Sequence, residues 1–90
     1  MITPQLRQEG QERIRACDID GCKLIARRMV EEILSCGNVS LDLTDLRSYD
    51  DYTYAHSVNV AVYCGVIGMG MGMSEVELGH LVTAALLHDL

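Results

Sequence analysis

The sequence predicts an all-α fold of antiparallel helices, and the spacing of its apolar residues is the main reason. Apolar positions recur at helical intervals along most of the chain, whereas no segment shows the alternation of apolar and polar residues typical of a half-buried strand. The single proline, Pro4, lies near the beginning, so no later helix is interrupted by proline.

Composition limits the size of the fold and the class of partner. A chain of 90 residues forms one small domain or part of a larger one, and a hydrophobic fraction of 49% exceeds what a short monomer easily buries. We therefore expect a homo-oligomer, or docking to further helices. A net charge of -6 with only seven Lys and Arg residues excludes nucleic acid as a partner. It does not exclude a small phosphorylated substrate, because bound metal ions reverse the local field.

The cysteines and the hydropathy pattern indicate the compartment. Cys17, Cys22, Cys36 and Cys64 show no C-x-x-C spacing, and no signal peptide precedes them. We expect free or buried thiols in a reducing cytosol rather than disulfides or a zinc site. No apolar stretch reaches the length of about 20 residues that spans a bilayer, so the sequence predicts a cytoplasmic protein.

The first half of the chain contains one strong helix prediction. Residues 1–19 are polar and mixed in charge, and we interpret them as a leader or linker helix without chemistry. From Lys23 to Cys36 the apolar residues recur at helical spacing, and Gly37-Asn38 supplies a C-terminal stop. The predicted core face comprises Leu24, Ile25, Met29, Val30, Ile33 and Leu34. The charged residues form a solvated face with i, i+4 pairs rather than a binding site: Arg27, Arg28, Glu31 and Glu32.

The middle of the chain predicts a central helix. Residues 40–49 can form a short helix or turn, and Asp50-Asp51 offers caps for a long helix that begins near Tyr52. This helix is apolar on most sides, which favours a central position. The glycines from Gly68 to Gly72 end it in a flexible turn and not in a nucleotide-binding loop, because they follow a helix instead of a strand.

A capping box predicts the last helix. Ser74 and Glu77 have its spacing, and Met73 and Leu78 are placed as the accompanying hydrophobic staple, so a helix should begin at Glu75. We expect it to run to the end of the chain. Its apolar residues include Val76, Leu78, Leu81, Val82, Ala85 and Leu86.

The pair His88-Asp89 near the end of this helix is the main candidate for chemistry. It follows the apolar run 84–87, where an ionised carboxylate without a partner costs on the order of several kcal/mol. An imidazole can bind a divalent cation while a carboxylate bridges that ion to a second one, and His56 could complete one face. A packed, hydrogen-bonded histidine is the commoner alternative for a lone His. His80 is expected at an exposed or peripheral position rather than as a ligand.

Two blocks of residues resemble a known family. Residues 50–61, DDYTYAHSVNVA, and residues 84–90, AALLHDL, together with Ile67-Gly68 and the segment 72–74, resemble the N-terminal half of the HD-GYP domain. This branch of the HD metal-dependent phosphohydrolases hydrolyses the bacterial second messenger cyclic di-GMP. The resemblance covers about the second half of the chain and implies the N-terminal part of an HD-type helical bundle.

The resemblance also implies roles for individual residues. His56 and His88 would be metal ligands, and Asp89 would be the metal-bridging, catalytic carboxylate, while Ser57 and Asn59 would support the site. A complete site would hold two divalent ions, iron or manganese, and would act on cyclic di-GMP by metal-hydroxide attack on the phosphodiester. Some relatives carry a glutamate for a third metal where this chain has Tyr52, which favours two metals. The remaining ligands and the Gly-Tyr-Pro loop would follow Leu90.

The resemblance leaves two alternatives and one expectation about the chain itself. We expect residues 1–19 to be a leader or linker helix and residues 20–90 to be the N-terminal portion of an HD or HD-GYP domain that stops after the His-Asp pair. Alone, this portion is expected to be inactive and to hold metal incompletely. The first alternative is an inactive, self-associating helical interaction fragment, and the second is a plain HD phosphohydrolase acting on nucleotides.

Overall fold

The computed structural model describes residues 2–36 and 52–89. Within these ranges the chain forms helices α1 (Pro4–Arg15), α2 (Ile19–Cys36), α3 (Tyr52–Gly70) and α4 (Glu75–Leu87). The predicted all-α class is confirmed. The predictions for residues 37–51, which include the C-terminal stop of α2, the short helix or turn and the two aspartate caps, lie outside the described residues.

Helix α1 packs into the core with the other helices. Thr3 caps it, because its Oγ1 accepts a hydrogen bond from the backbone N–H of Leu6 at 3.1 Å, and Pro4 occupies the first turn. Leu6, Gly10 and Ile14 are buried on the side that faces the core. The separation of residues 1–19 as a leader or linker from a domain at residues 20–90 stays a prediction.

Helix α2 begins earlier than the predicted Lys23. Asp18 explains the difference, because its Oδ1 accepts from the backbone N–H of Gly21 at 2.9 Å and so satisfies a donor of the first turn. The predicted core residues Ile25, Met29, Val30 and Ile33 are all buried.

The prediction is wrong for two residues that were assigned to the core face of α2. Leu24 is 62% exposed and Leu34 is 42% exposed. Successive residues on an α-helix are rotated by about 100°, which places Leu24 nearly opposite Met29 and Ile33 and moves Leu34 to the flank. The charged face also differs from simple i, i+4 pairing, since Arg28 donates to Glu9 Oε2 on α1 at 2.6 Å.

Helix α3 ends in a Schellman motif, as the run of glycines suggested. The backbone N–H of Met73 donates to the carbonyl of Gly68, and that of Gly72 donates to the carbonyl of Met69, both at 3.1 Å. Gly72 has a φ of 81°, a left-handed conformation that glycine adopts without strain. Ile67, near this end of the helix, is apolar but 62% exposed, so its side chain does not belong to the core.

Helix α4 begins with the predicted capping box. Ser74 Oγ accepts from the backbone N–H of Glu77, and the Glu77 carboxylate accepts from the backbone N–H of Ser74, both at 3.2 Å. These bonds stabilise the ionised carboxylate and lower the pKa of Glu77. The helix ends at Leu87 with His88 as its C-cap, so the expectation that it runs to the end of the chain is wrong. Val76, one of the apolar residues named for this helix, is 68% exposed.

The core lies where α2, α3 and α4 meet. Gly65 of α3 allows the closest approach, because a Cβ placed there would lie 2.6 Å from Cδ1 of Ile33 and 3.3 Å from Cγ2 of Val82. Ile33 and Val82 are both buried, and this contact holds α3 against its two neighbours. No helix in the described ranges is both long and apolar enough to cross a membrane.

The described cysteines differ in burial: Cys17 is exposed, Cys64 is partly buried and Cys22 is buried. Cys17, Cys22 and Cys64 are free thiols, in agreement with the expectation from their spacing. Cys22 is fully buried, and burial raises the pKa of its thiol, with a further contribution from the nearby carboxylate of Asp18. A raised pKa keeps the thiol protonated and unreactive.

Candidate metal centre

The structure brings together the three residues that the sequence singled out for chemistry. His56 comes from α3, His88 caps the C-terminal end of α4, and Asp89 follows it. One donor atom from each of the three side chains lies within 4.8 Å of the other two. Their juxtaposition depends on two helices that are separated in sequence by the glycine-containing turn.

The packing of α3 against α4 sets the distance between the two histidines. The turn holds the start of α4 against the end of α3, where Met73 Sδ and Leu78 Cδ2 both lie beside Gly68. Further along α3, the close approach of Gly65 to Val82 continues this contact. At the other end of the helix pair, the ring centroids of His56 and His88 are 6.0 Å apart and the rings are inclined by 62°.

The protonation of His88 follows from its hydrogen bond. Its Nδ1 lies 2.5 Å from the carbonyl oxygen of Ala85, one turn earlier in α4. A carbonyl oxygen only accepts, so Nδ1 carries the proton and donates it. In the neutral ring, the lone pair is therefore on Nε2. This is the arrangement by which a backbone carbonyl fixes the tautomer and the orientation of a metal-binding imidazole.

Nε2 of His88 faces a carboxylate. It lies 3.2 Å from Oδ2 of Asp89, close enough for an ion pair when the imidazole is protonated. The same two atoms can bind one cation when the imidazole is neutral, because both then present lone pairs. The side chains of His88 and Asp89 are 36% and 46% exposed, so ions and ligands from solvent can reach them.

The end of α4 adds to the negative potential at this position. The unpaired carbonyl groups of the last turn give the C-terminal end of a helix a partial negative charge, which favours a nearby cation. Asp89 adds a formal negative charge beside it. Two imidazoles and one carboxylate are a donor set suited to first-row divalent ions such as manganese, iron and zinc. The residues present therefore fit a divalent metal ion.

The distances require a small adjustment for one ion to contact all three side chains. Metal–nitrogen and metal–oxygen bonds are about 2.0–2.2 Å, so two ligands of one ion are separated by no more than about 4.4 Å. The three donor atoms lie within 4.8 Å of one another, which exceeds this separation by a few tenths of an ångström. A shift of a few tenths of an ångström in the side chains is enough to close the gap.

Ser57 and Asn59, expected to support the site, lie on the buried side of α3. Ser57 is 1% exposed, and its Oγ has no hydrogen-bond partner among the described residues. Asn59 is 5% exposed, and its Oδ1 accepts from a guanidinium N–H of Arg7 at 2.5 Å. Their role in supporting the metal centre stays a prediction, and the side chain of Tyr52 lies outside the description.

Arg7 is a residue that the sequence analysis did not single out. It belongs to α1, which was expected to carry no chemistry, and it reaches across to the helix that bears His56. Its partner Asn59 is three residues after His56 on α3. The periodicity of α1 contains no signal for this bond, because the two residues are 52 positions apart.

His80 lies where the sequence analysis expected it. It is exposed, and it is not part of the group formed by His56, His88 and Asp89. It is eight residues before His88 on α4, a separation of about 12 Å along the helix axis. A single ion therefore cannot contact both His80 and His88.

Comparison with protein families adds an independent observation. The model of the HD domain family matches residues 53–90, a range that contains His56, His88 and Asp89. The match spans α3 and α4 and is therefore limited to this part of the chain. The HD domain is that of the metal-dependent phosphohydrolase superfamily, whose members typically bind metal. Neither the comparison with curated proteins nor that with solved structures found a match.

The HD domain match includes both helices of the candidate metal centre. It begins in the first turn of α3 and includes α4 to its end. Helices α1 and α2 precede the matched range and complete the core beneath it. The match supports the HD part of the resemblance, whereas the HD-GYP subtype is a finer assignment that we treat as a proposal.

Proposed function

We propose that His56, His88 and Asp89 bind a divalent cation and form the metal-binding part of a phosphodiesterase. The observation that carries the proposal is the convergence of the three donor groups within 4.8 Å in the segment matched by the HD domain. A divalent cation bound there would activate a water nucleophile and offset the negative charge that develops on the phosphoryl oxygens.

The residues of this chain have distinct tasks in the proposal. Ala85 holds the proton on Nδ1 of His88, so that Nε2 is available as a ligand in the required direction. His56 supplies the second imidazole from α3. Asp89 supplies negative charge and two oxygen atoms, which lets it serve one ion or bridge two. Manganese and iron suit this mixed nitrogen and oxygen set.

We further propose cyclic di-GMP as the substrate. The support is the order of the two blocks, Y-T-x-x-H-S-x-N-V at residues 52–60 and A-L-L-H-D at residues 85–89, which are typical of the HD-GYP branch. Their histidines come together as ligands of one site would. A plain HD phosphohydrolase acting on nucleotides is the competing assignment, and an inactive interaction fragment is the outcome expected if no metal binds.

Metal binding is tested on the 90-residue chain with Mn²⁺, whose free concentration is measured by electron paramagnetic resonance. We expect His56→Ala, His88→Ala and Asp89→Ala each to weaken Mn²⁺ binding by about tenfold or more, since each removes a ligand. His80→Ala is the matched control, because it removes the same side chain from the same helix outside the group. Equal losses in His80→Ala and His88→Ala, or no Mn²⁺ binding at all, would contradict the proposed centre.

The substrate is tested separately on the natural protein loaded with manganese or iron. We expect it to open cyclic di-GMP, and His88→Ala to abolish both metal content and hydrolysis. Hydrolysis of mononucleotides with cyclic di-GMP left intact would support the competing nucleotide phosphohydrolase. Cyclic di-GMP hydrolysis that persists in His88→Ala would contradict the role given to this histidine.

A further inference from the structure

A groove between α2 and α4 lies beside the candidate metal centre. Its volume is about 630 Å³, within the range of about 300–1,000 Å³ that is common for small-molecule sites. Its lining does not include the proposed metal ligands. The α2 side is formed by Lys23, Arg27 and Val30, and the α4 side includes Val76, His80 and Ala84.

The end of the groove at Ala84 lies near His88. Ala84 is four residues before His88, which places the two residues about one helical turn apart and rotates them by only about 40° relative to each other. His80 and Val76 lie one and two turns farther back along α4, with the same rotation of about 40° at each step. All four are exposed. Ala84 at the edge of the groove is separated from His88 by about 6 Å along the helix axis. A ligand in the groove can therefore extend to the metal centre.

The basic residues of the groove differ from the other basic residues in the described part of the chain. Arg13 pairs with Asp18, Arg28 pairs with Glu9, and Arg7 bonds to Asn59. Arg15 lies over the ring of Tyr54, 5.3 Å from its centroid. Among the described residues, no ion-pair or hydrogen-bond partner is found for Lys23 or Arg27, and both line the groove. In a chain with a net charge of -6, two such cations in one groove favour an anionic ligand.

The remaining groups of the groove define what kind of anion fits. Glu75 contributes one negative charge against the two positive charges of Lys23 and Arg27. The hydroxyl of Thr83 donates to the carbonyl of Gly79 at 2.7 Å, so its proton is already used within the helix. Val76 and Val30 offer apolar contact, and nothing lies within 4 Å of a Cβ placed on Gly79. The groove thus combines cations with an open, partly apolar wall.

We propose that this groove binds an organic phosphate, with Lys23 and Arg27 contacting a phosphate group and the apolar wall contacting the organic part. The identification of the anion as phosphate rests on the proposed function. The groove would hold a phosphate group that is not being cleaved and would thereby orient the scissile phosphate at His88 and Asp89. Arg27 and Lys23 are then substrate-positioning residues of the HD domain, although they lie outside its matched range.

Ligand binding in the groove is tested in the absence of metal. A negative result for the groove can then be distinguished from a negative result for the metal centre. The 90-residue chain, with a chelator present, is titrated with AMP and followed by ¹H–¹⁵N NMR. We expect chemical-shift changes at Gly79, His80 and Thr83, and a weaker response at the same residues to inorganic phosphate. Adenosine, which lacks the phosphate, should bind far more weakly than AMP. Raising the salt concentration should weaken AMP binding through screening.

Substitutions test whether Lys23 and Arg27 are the residues that contact the phosphate group. Lys23→Gln and Arg27→Gln should each raise the dissociation constant for AMP by about fivefold, and the double variant by about 25-fold if the two effects add. Arg28→Gln is the matched control, because it removes the same charge from the neighbouring position of α2 outside the groove. It should leave AMP affinity unchanged. Mn²⁺ affinity, measured on the same samples without AMP, should be unchanged in Lys23→Gln and Arg27→Gln.

Several results would overturn the proposal. These are the absence of AMP-dependent shifts, shifts confined to residues outside the groove, equal affinity for adenosine and AMP, or an equal loss of affinity in Arg28→Gln. Inorganic phosphate that binds as tightly as AMP would overturn the part assigned to the organic group. Loss of Mn²⁺ binding in His88→Ala together with intact AMP binding would support both proposals independently.

Discussion

Gly65 and Gly79 lie in the interiors of neighbouring helices, and replacing each with alanine should change stability in opposite directions. At Gly79 of α4, an added Cβ has no atom within 4 Å. The substitution then acts through helix propensity alone and should stabilise the fold by about 0.8–1 kcal/mol. Gly79→Ala therefore measures the gain that a helix interior provides when nothing obstructs the new methyl group.

At Gly65 of α3 the same gain is opposed by a steric overlap. The new Cβ would lie 2.6 Å from Cδ1 of Ile33, whereas carbon atoms pack best at about 3.5–4.0 Å. Ile33 is 1% exposed and Val82 is fully buried, so neither side chain can move into solvent. Overpacking of this kind costs about 1–3 kcal/mol. After the propensity gain, Gly65→Ala should be destabilising by about 1 kcal/mol.

Thermal unfolding followed by circular dichroism at 222 nm measures both variants. A net difference of about 2 kcal/mol corresponds to midpoints about 8–16 °C apart for a domain of this size. If the two variants shifted the midpoint in the same direction by similar amounts, the close packing of α3 on α2 and α4 would be refuted. Because that packing positions His56 relative to His88, the same result would also remove the basis for the metal centre.

Three further substitutions test local features of the fold. Gly72→Ala should destabilise the chain by about 1 kcal/mol in urea denaturation, because alanine is strained at the φ of 81° that ends α3, and a neutral effect would argue against the Schellman motif. Arg7→Met should cost about 1–3 kcal/mol by leaving the buried Oδ1 of Asn59 without its donor, and a double-mutant cycle with Asn59→Leu should show coupling rather than additivity. Ser74→Ala should remove the capping box and reduce the dependence of stability on acid pH. The folded state lowers the pKa of Glu77 below its ordinary 4.5, so its contribution is present above the unfolded pKa and is lost as the pH falls through the folded pKa. Equal acid sensitivity of wild type and Ser74→Ala would contradict this contribution.

The parts of the fold that the sequence predicted well are those determined by local interactions. The capping box of Ser74 and Glu77 specifies the start of α4 through bonds three residues apart. The glycines after Ile67 similarly specify the end of α3. Where the burial of a residue depends on a neighbouring helix, prediction was weaker. Leu24 and Leu34 are apolar and were assigned to the core face of α2, yet they are 62% and 42% exposed, because no described helix covers those sides of α2.

The candidate site was found through a resemblance and not through spacing alone. His88 and Asp89 are adjacent in sequence, but their proximity to His56 depends on how α3 and α4 pack. The sequence of the turn between these helices does not determine the distance between His56 and His88, which lie at the opposite end of the helix pair. The hydrogen bond from Nδ1 of His88 to the carbonyl oxygen of Ala85 could not be predicted from the sequence pattern either, because it depends on the rotamer of the His88 side chain.

The charges of α2 show why a single helix cannot be interpreted in isolation. Arg27 and Arg28 are adjacent, and the sequence analysis assigned both to one solvated face. A rotation of about 100° between them gives each a different environment. Arg28 reaches Glu9 of α1, 19 residues away, whereas Arg27 lines the groove beside α4. Arg27 and Arg28 carry the same charge and are both exposed. Only their surroundings therefore distinguish Arg28, which forms an ion pair, from Arg27, which is available to a ligand. The comparison of Arg27→Gln with Arg28→Gln therefore tests the packing of α2 between α1 and α4 as well as the ligand.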